Sequence, residues 1–336
     1  MKILYAGSSQ SSAEILQALI NDNHEIVGVL SQPDKRSRRS KGLEPSHVSA
    51  VAEVASIKVY KPFKLDEDFK EKILSLDFDL LLVVAYGKIL PKWLLESSTK
   101  ISVNIHFSLL PKYRGASPIQ SCLLKGDLNT GISIMEMTSG LDEGPIYNSE
   151  QITISDNADK NLLEEELTKV AKNILFGSLL DISQNKKLPT AQDDSGASYC
   201  KKITKSSGKI NFLEEDADSI IRKFNAYKGW PGIFFEKDNV IIKIHGIKPF
   251  TKIQGLHESS DFYFSPEGLA VKTSTKLIVI THLQFPGKTV ITSQDAANSY
   301  AEFFTNSRTI CCSSNCFKRR LIYTYENFNS WGWTSW

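Results

Sequence analysis

The sequence predicts an α/β protein: a doubly wound, mostly parallel domain followed by a smaller β-barrel domain. Three observations carry this. Residues 1–180 alternate short β-rich runs with helical patterns, the mark of a mostly parallel sheet with helices on its faces. Within them, residues 80–85 (Leu-Leu-Leu-Val-Val-Ala) form a continuous apolar run, as a strand covered on both faces requires. Beyond residue 205 the helical pattern gives way to short β-rich runs separated by turn signals, the spacing of a small barrel or curled sheet.

The elements follow in order. Strands are predicted at 3–6 and 26–30, with a helix at 13–20 between them. Further strands fall at 80–85, 101–105, 132–137 and 146–152. A helix over 161–180 is predicted from Leu162, Leu163, Leu167, Val170 and Ala171 on related faces. In the second half a helix is expected at 220–224 and strands at 233–235, 240–244, 269–272 and 277–280. The expected domains are 1–185, a polar linker at 186–205, a second domain at 206–305, and an atypical tail at 306–336. That tail holds Cys311, Cys312 and Cys316, a basic Lys318-Arg319-Arg320 run and a three-Trp end. It fits neither domain, and disorder or a translated extension would account for it.

At 336 residues the chain has room for two cores. Its net charge is only +2, so any nucleic-acid footprint must be a local patch. No apolar run approaches the roughly 18 residues of a membrane span, and the first residues enter a strand at once. A cytoplasmic chain without a targeting segment or membrane partner is expected. The cysteines form no disulfide framework, and the scattered histidines lack ligand-spaced partners, so no metal is expected.

The chemistry concentrates between residues 104 and 144. Asn104 and His106 lie two apart at the end of a predicted strand and so share a face. Open parallel sheets place their sites at that end. Pro111 and Gly115 mark an irregular loop, and Ser117-Pro118 reads as a helix start with Ser as N-cap and Pro at the first helical position. Gly140-Leu141-Asp142-Glu143-Gly144 sets a carboxylate in a glycine-flanked turn. Each residue alone has an ordinary structural use. Together, amide, imidazole and carboxylate suit acyl transfer to an amine. Asn104 would stabilise an oxyanion, His106 would move protons near neutral pH, and Asp142 would orient the imidazole or relay protons.

The run Asn104-Ile105-His106-Phe107-Ser108-Leu109-Leu110-Pro111, followed by Arg114-Gly115, Pro118, Gly126, Gly131, Asp142 and Gly144, resembles the signature of the folate-dependent formyltransferase family. The resemblance implies a Rossmann-like catalytic domain with an OB-like second domain, and Asn104, His106 and Asp142 as catalytic residues. It also implies 10-formyltetrahydrofolate as donor. Tyr86, Gly87, Ile89, Leu90 and Pro91, with Ser108, Leu109, Leu110 and Pro111, would hold that donor.

Three features point within the family to a tRNA-borne amine. Five of the seven residues from Lys35 to Lys41 are basic, and this segment resembles an inserted loop that reaches a tRNA acceptor arm. Lys35, Arg36, Arg38, Arg39 and Lys41 would face phosphates or unpaired bases. The segments around Tyr199, Ile210-Asn211-Phe212, residues 221–225 and Trp230-Pro231 resemble a tRNA-binding second domain, with Arg222 and Lys223 on its basic surface. Leu283-Gln284-Phe285-Pro286-Gly287-Lys288 is similar to a late Gly-Lys segment of the same branch. The implied acceptor is initiator methionyl-tRNA and the implied state a monomer. A small amine such as an amino sugar nucleotide, or a non-catalytic tRNA- or folate-binding remnant, are the alternatives. The resemblance spans about residues 1–300. It departs at residues 8–12 (Ser-Ser-Gln-Ser-Ser) and at Ser133, where a threonine is usual.

Overall fold

The computed structural model describes residues 1–36, 42–250 and 261–305. Arg38, Arg39 and Lys41 of the basic loop, and the tail 306–336 with its cysteines, lie outside the described residues. The chain divides into two compact units, Met1–Ile203 and Thr204–Trp336.

The first unit is built on a seven-stranded sheet. Its strands are β1 (Lys2–Gly7), β2 (Glu25–Leu30), β3 (Val59–Tyr60), β4 (Leu80–Val84), β5 (Ile101–His106), β6 (Asn129–Glu136) and β7 (Ile146–Thr153). The spatial order is β3-β2-β1-β4-β5-β6-β7. The first five run parallel, while β6 pairs antiparallel with β5 and with β7. The order reverses between β1 and β4, and such a switch point opens a crevice at the carboxyl ends of the strands. Every residue of β4 is buried, as its unbroken apolar run requires when helices cover both faces.

Local signals set the helices. Helix α1 (Gln10–Asn21) starts where the Ser9 hydroxyl accepts from the Ser12 amide, and α2 (His47–Val54) is capped in the same way by Ser46. Helices α3 (Glu67–Leu74) and α4 (Lys92–Leu95) precede and follow β4. Helix α5 (Pro118–Lys125) has Pro at its first turn and Gly126 in the left-handed region at its end. Ser117, however, does not cap it with its side chain. Its hydroxyl donates instead to the Lys201 carbonyl at 2.7 Å, because a downstream strand lies against this loop. Helix α6 (Lys160–Ser183) runs for 24 residues and buries Leu163, Leu167, Ala171 and Leu175.

The stretch expected as a linker does not behave as one over its first part. Residues 186–203 belong to the first unit, and Tyr199–Cys200 pairs in parallel with Arg114–Gly115. Its polar composition hides this, because the segment is held by hydrogen bonds and not by an apolar face.

The second unit begins with α7 (Ala217–Ala226) and carries a six-stranded antiparallel sheet. Its strands are β8 (Ile233–Lys237), β9 (Val240–Pro249), β10 (Phe262–Ser265), β11 (Gly268–Lys272), β12 (Leu277–Gln284) and β13 (Ile291–Thr292), and α8 (Ser293–Thr305) follows. The order is β8-β9-β12-β11-β10, with β13 on β12. The sheet curls: Phe235 of β8 stacks on Phe262 of β10 with ring centroids 5.6 Å apart. Closure thus comes from aromatic packing, with Phe212 and Phe304 against Phe262, and not from a ladder between those two strands. Among the described residues no helix is long and apolar enough to cross a membrane.

Candidate active site

The site forms at the carboxyl end of β5. Asn104 and His106 share one face of this strand, as its period of two dictates. His106 is buried. Its Nε2 lies 2.9 Å from the Tyr113 carbonyl, and its Nδ1 lies 3.7 Å from Asp142 Oδ2. A carbonyl can only accept, so Nε2 carries the proton in the neutral ring. Nδ1 is then the atom whose protonation changes, and it faces the carboxylate. Burial pushes the His106 pKa below the ordinary imidazole value; the Asp142 charge and the Tyr113 carbonyl oppose that shift. Asp142 is the more accessible of the pair, so a ligand reaches the carboxylate before the imidazole. The Asn104 amide has no hydrogen-bond partner among the described residues and is only partly covered, which leaves it free to donate.

Asp142 sits at φ 51°, and its Oδ2 accepts the Gly115 amide at 2.8 Å. Gly115 has φ +121°, and a Cβ there would lie 2.3 Å from the Cys200 carbonyl. Glycine is needed twice over, for the backbone angle and for the close strand. Gly115→Ala is expected to cost about 1–3 kcal/mol and to move the amide that holds Asp142. Thermal unfolding would show the loss, and an unchanged melting temperature would contradict it.

The loop before Gly115 is fixed by Arg114, which is 2% exposed. Its guanidinium donates to Gln192 Oε1 at 3.0 and 2.8 Å and to Asp194 Oδ1 at 2.7 Å. Nothing in the local sequence around Gln192 announces this pairing.

The structure treats the expected donor-binding residues unequally. Ala85 and Gly87 take positive φ, so the chain turns sharply after β4 at the switch point. Tyr86 is buried there and its hydroxyl has no partner; burial pushes that phenol up to about 12. Ile89 is fully presented to solvent, whereas Leu90 packs on the core under the sheet. Pro91 begins α4. Ser108 and Leu110 are consumed by their own loop: the Ser108 hydroxyl donates to the Lys112 carbonyl at 2.6 Å, and the Leu110 amide donates to Ser133 at 3.0 Å. The serine at 133 thus props the loop. Leu109 and Pro111 remain partly exposed.

A cavity of about 380 Å³ opens elsewhere, lined by Leu95, Ser98, Ser102, Glu136, Met137 and Thr138 among others. Its lining takes in residues 100–102 at the start of β5 and includes none of Asn104, His106 and Asp142. Sequence patterns miss these residues, because a cavity between a helix, a strand and a turn has no contiguous motif.

The basic segment starts as a short hairpin. Lys35 and Arg36, both exposed, pair antiparallel with Leu43–Glu44. Its foot is tied to the switch point, where the Gln32 amide donates to Ser8 Oγ at 3.0 Å and its side chain donates to the Tyr86 carbonyl at 2.9 Å. The unusual Ser8 thus has a structural use. In the second unit, Lys223 is less free than expected. Its ammonium donates to Glu215 and to the Lys209 carbonyl, each at 2.8 Å, and a phosphate would have to displace that pair.

An imidazole at the end of a parallel strand thus faces a carboxylate from the turn after β6, on the sheet order of a nucleotide-binding-type α/β fold. The formyl transferase family model matches residues 1–179, and the model of the formyl transferase C-terminal domain matches 202–301. The chain belongs to the formyl transferase family. It is 33% identical over 311 residues to a methionyl-tRNA formyltransferase from Idiomarina loihiensis, covering 91% of this chain and 98% of that protein. It is also similar in fold to an N-formyltransferase from Helicobacter canadensis solved with folinic acid and dTDP-3-aminofucose (TM-score 0.62, 19% identity, 83% of this chain and 98% of that one). HypX from Aquifex aeolicus, solved with tetrahydrofolic acid, matches with a TM-score of 0.60 at 15% identity over 98% of this chain. The chain spans 57% of HypX in that match.

Proposed function

We propose that this chain transfers the formyl group of 10-formyltetrahydrofolate to the amino group of methionine on initiator methionyl-tRNA, as a cytoplasmic monomer serving translation initiation. The observation that carries the acceptor is the match, over 91% of this chain and 98% of the relative, to a methionyl-tRNA formyltransferase.

The turn after β4 at the switch point supports the donor reading: the unpartnered Tyr86 hydroxyl lies there and Ile89 is presented to solvent. Tyr86, Gly87, Ile89, Leu90 and Pro91 would border the donor. Leu109 and Pro111 would offer surface, and Ser108 and Leu110 would support them from beneath. When bound, the folate supplies an activated formyl carbon.

The chain's own residues supply the rest. Transfer to an amine builds negative charge on the carbonyl oxygen, which the free Asn104 amide would meet. As the amine bonds to the formyl carbon, the bond from that carbon to the folate nitrogen would break. The amine's proton would pass to Asp142, with His106 Nδ1 behind it, and return to the leaving nitrogen. The Tyr113 carbonyl keeps the imidazole in one tautomer. The incoming amine is the nucleophile, so no serine or cysteine nucleophile enters.

Acceptor binding would fall on Lys35, Arg36, Arg38, Arg39 and Lys41, and in the second unit on Arg222, with Lys223 only after its pair opens. Replacing Lys35 and Arg36 with Ala is expected to raise the KM for tRNA. It should also flatten the dependence of log KM on log salt by about 0.7–0.9 for each phosphate that is no longer neutralised. An unchanged salt slope would clear both residues of a role at the phosphates.

The function is tested by incubating the chain with 10-formyltetrahydrofolate and methionyl initiator tRNA and measuring formylmethionyl-tRNA. Product is expected. Its absence, with formylation of an amino sugar nucleotide instead, would assign a small amine as acceptor. Folate binding without any transfer would mean a non-catalytic chain.

A further inference from the structure

The side chain of Gln192 uses every hydrogen-bonding position it has. Its Oε1 accepts from Arg114 Nε and Nη2 at 3.0 and 2.8 Å. Its Nε2 donates to the Asp142 carbonyl at 2.9 Å and the Gly144 carbonyl at 2.7 Å. A primary amide offers two acceptor lone pairs and two N–H groups in one plane, and here all four are engaged. The orientation is fixed by chemistry: a guanidinium needs the oxygen, and two carbonyls need the nitrogen. No other natural side chain of this length presents both sets.

The partners belong to two separate loops. Arg114 stands in the loop that ends at Gly115, whose amide holds the Asp142 carboxylate. Asp142 and Gly144 stand in the turn that follows β6. Each loop alone is irregular and holds a positive-φ residue, with Tyr113 at 60° and Asp142 at 51°. The same segment that brings Gln192 also fixes the imidazole side. The Ser198 hydroxyl accepts from the Tyr113 amide at 2.9 Å, and the Cys200 thiol donates to the Tyr113 carbonyl at 3.3 Å. That carbonyl holds His106 Nε2.

We propose that Gln192 is a positioning residue, which sets Asp142 against His106 by clamping the two loops that carry their supports. This rests on reading Asn104, His106 and Asp142 as the reacting groups. The 3.7 Å between Nδ1 and the carboxylate has no direct hydrogen bond to hold it. Its geometry is therefore set from behind, and beside the Gly115–Asp142 bond itself, Gln192 joins the two loops through the Arg114 guanidinium on one side and the Asp142 and Gly144 carbonyls on the other.

The clamp is tested with Gln192→Glu and Gln192→Met. Glutamate keeps an acceptor for Arg114 and loses the donors to the Asp142 turn. Methionine keeps the length and loses both sides. In both, kcat is expected to fall about 100-fold, the loss that a displacement near 1 Å brings, while the KM of each substrate stays within about threefold. In the folded variants, the Nδ1 resonance of His106, read by histidine ¹⁵N NMR, is expected to move. A purely structural role would lower the melting temperature and leave that resonance in place. Gln192→Glu with kcat within about threefold of wild type, or with the resonance unmoved, would overturn the proposal. The resonance needs no substrate. A wild-type chain that formylates nothing would remove the functional reading and leave the clamp to be judged by NMR.

Discussion

His106→Ala lowers kcat by about 10²–10⁴-fold, the range for loss of a positioned acid–base group, in a protein that still folds. The fold survives because the Tyr113 carbonyl keeps a donor in Cys200, and the loop keeps its Arg114 and Ser198 bonds. What disappears is the imidazole behind Asp142. Steady-state kinetics with a melting curve separate the two effects, and near-normal turnover in the folded variant would remove His106 from the mechanism. The pH behaviour follows from the same geometry. Burial holds the folded His106 below 6.5, so the unfolded chain takes up a proton that the folded chain resists. The stability this group contributes is complete above pH 6.5 and is lost as pH falls through the folded value. His106→Ala removes that acid-sensitive part of the unfolding curve. Asp142→Asn, which deletes the charge opposing burial, shifts the imidazole still lower and keeps it neutral further into acid.

Arg114→Ala carries the largest stability loss, about 2–5 kcal/mol, the range for truncating a large buried side chain, with the buried acceptor of Gln192 left without its donors. Arg114 is among the largest fully buried side chains, so truncation leaves a void lined by polar groups. Gln192 Oε1 loses both its donors. Asp194 matters less, since its side chain is largely exposed and water replaces the guanidinium there. Arg114→Lys recovers only part of the loss: a single ammonium cannot reproduce the fork that serves Gln192 and Asp194 together. Chemical denaturation measures the difference. A loss under about 1 kcal/mol in Arg114→Ala would show that the loop is held by its backbone bonds alone.

What is legible in the chain is what is local. Strands β1, β2 and β4 can be read from short apolar runs bounded by turns, and β5 from its alternation of Ile101, Val103 and Ile105 with polar residues. The long helix α6 can be read from its period, and the start of α5 from Pro118. Short helices such as α2 and α3, and the strand β10, carry too few residues to establish a period. Ser117 takes the N-cap position as read, but its hydroxyl does not cap the helix, because a downstream carbonyl competes for it. Lys223 reads as a surface cation and is held by Glu215, a partner eight residues back. The residues proposed to bind the donor are legible as a loop after β4, but the cavity at the start of β5 is not.

By itself the sequence determined the alternating first domain, the β-rich second one, and the shared face of Asn104 and His106. Each of these follows from backbone periodicity, which acts over a few residues. Only the tertiary structure decided that Asp142 faces Nδ1, that Nε2 is committed to a carbonyl, and that Gln192, 78 residues from Arg114, joins the two loops. These depend on which buried polar groups find partners. A polar group leaves no periodic trace in the chain, so its partner is fixed only when the surrounding core excludes water and makes an unpaired donor or acceptor costly.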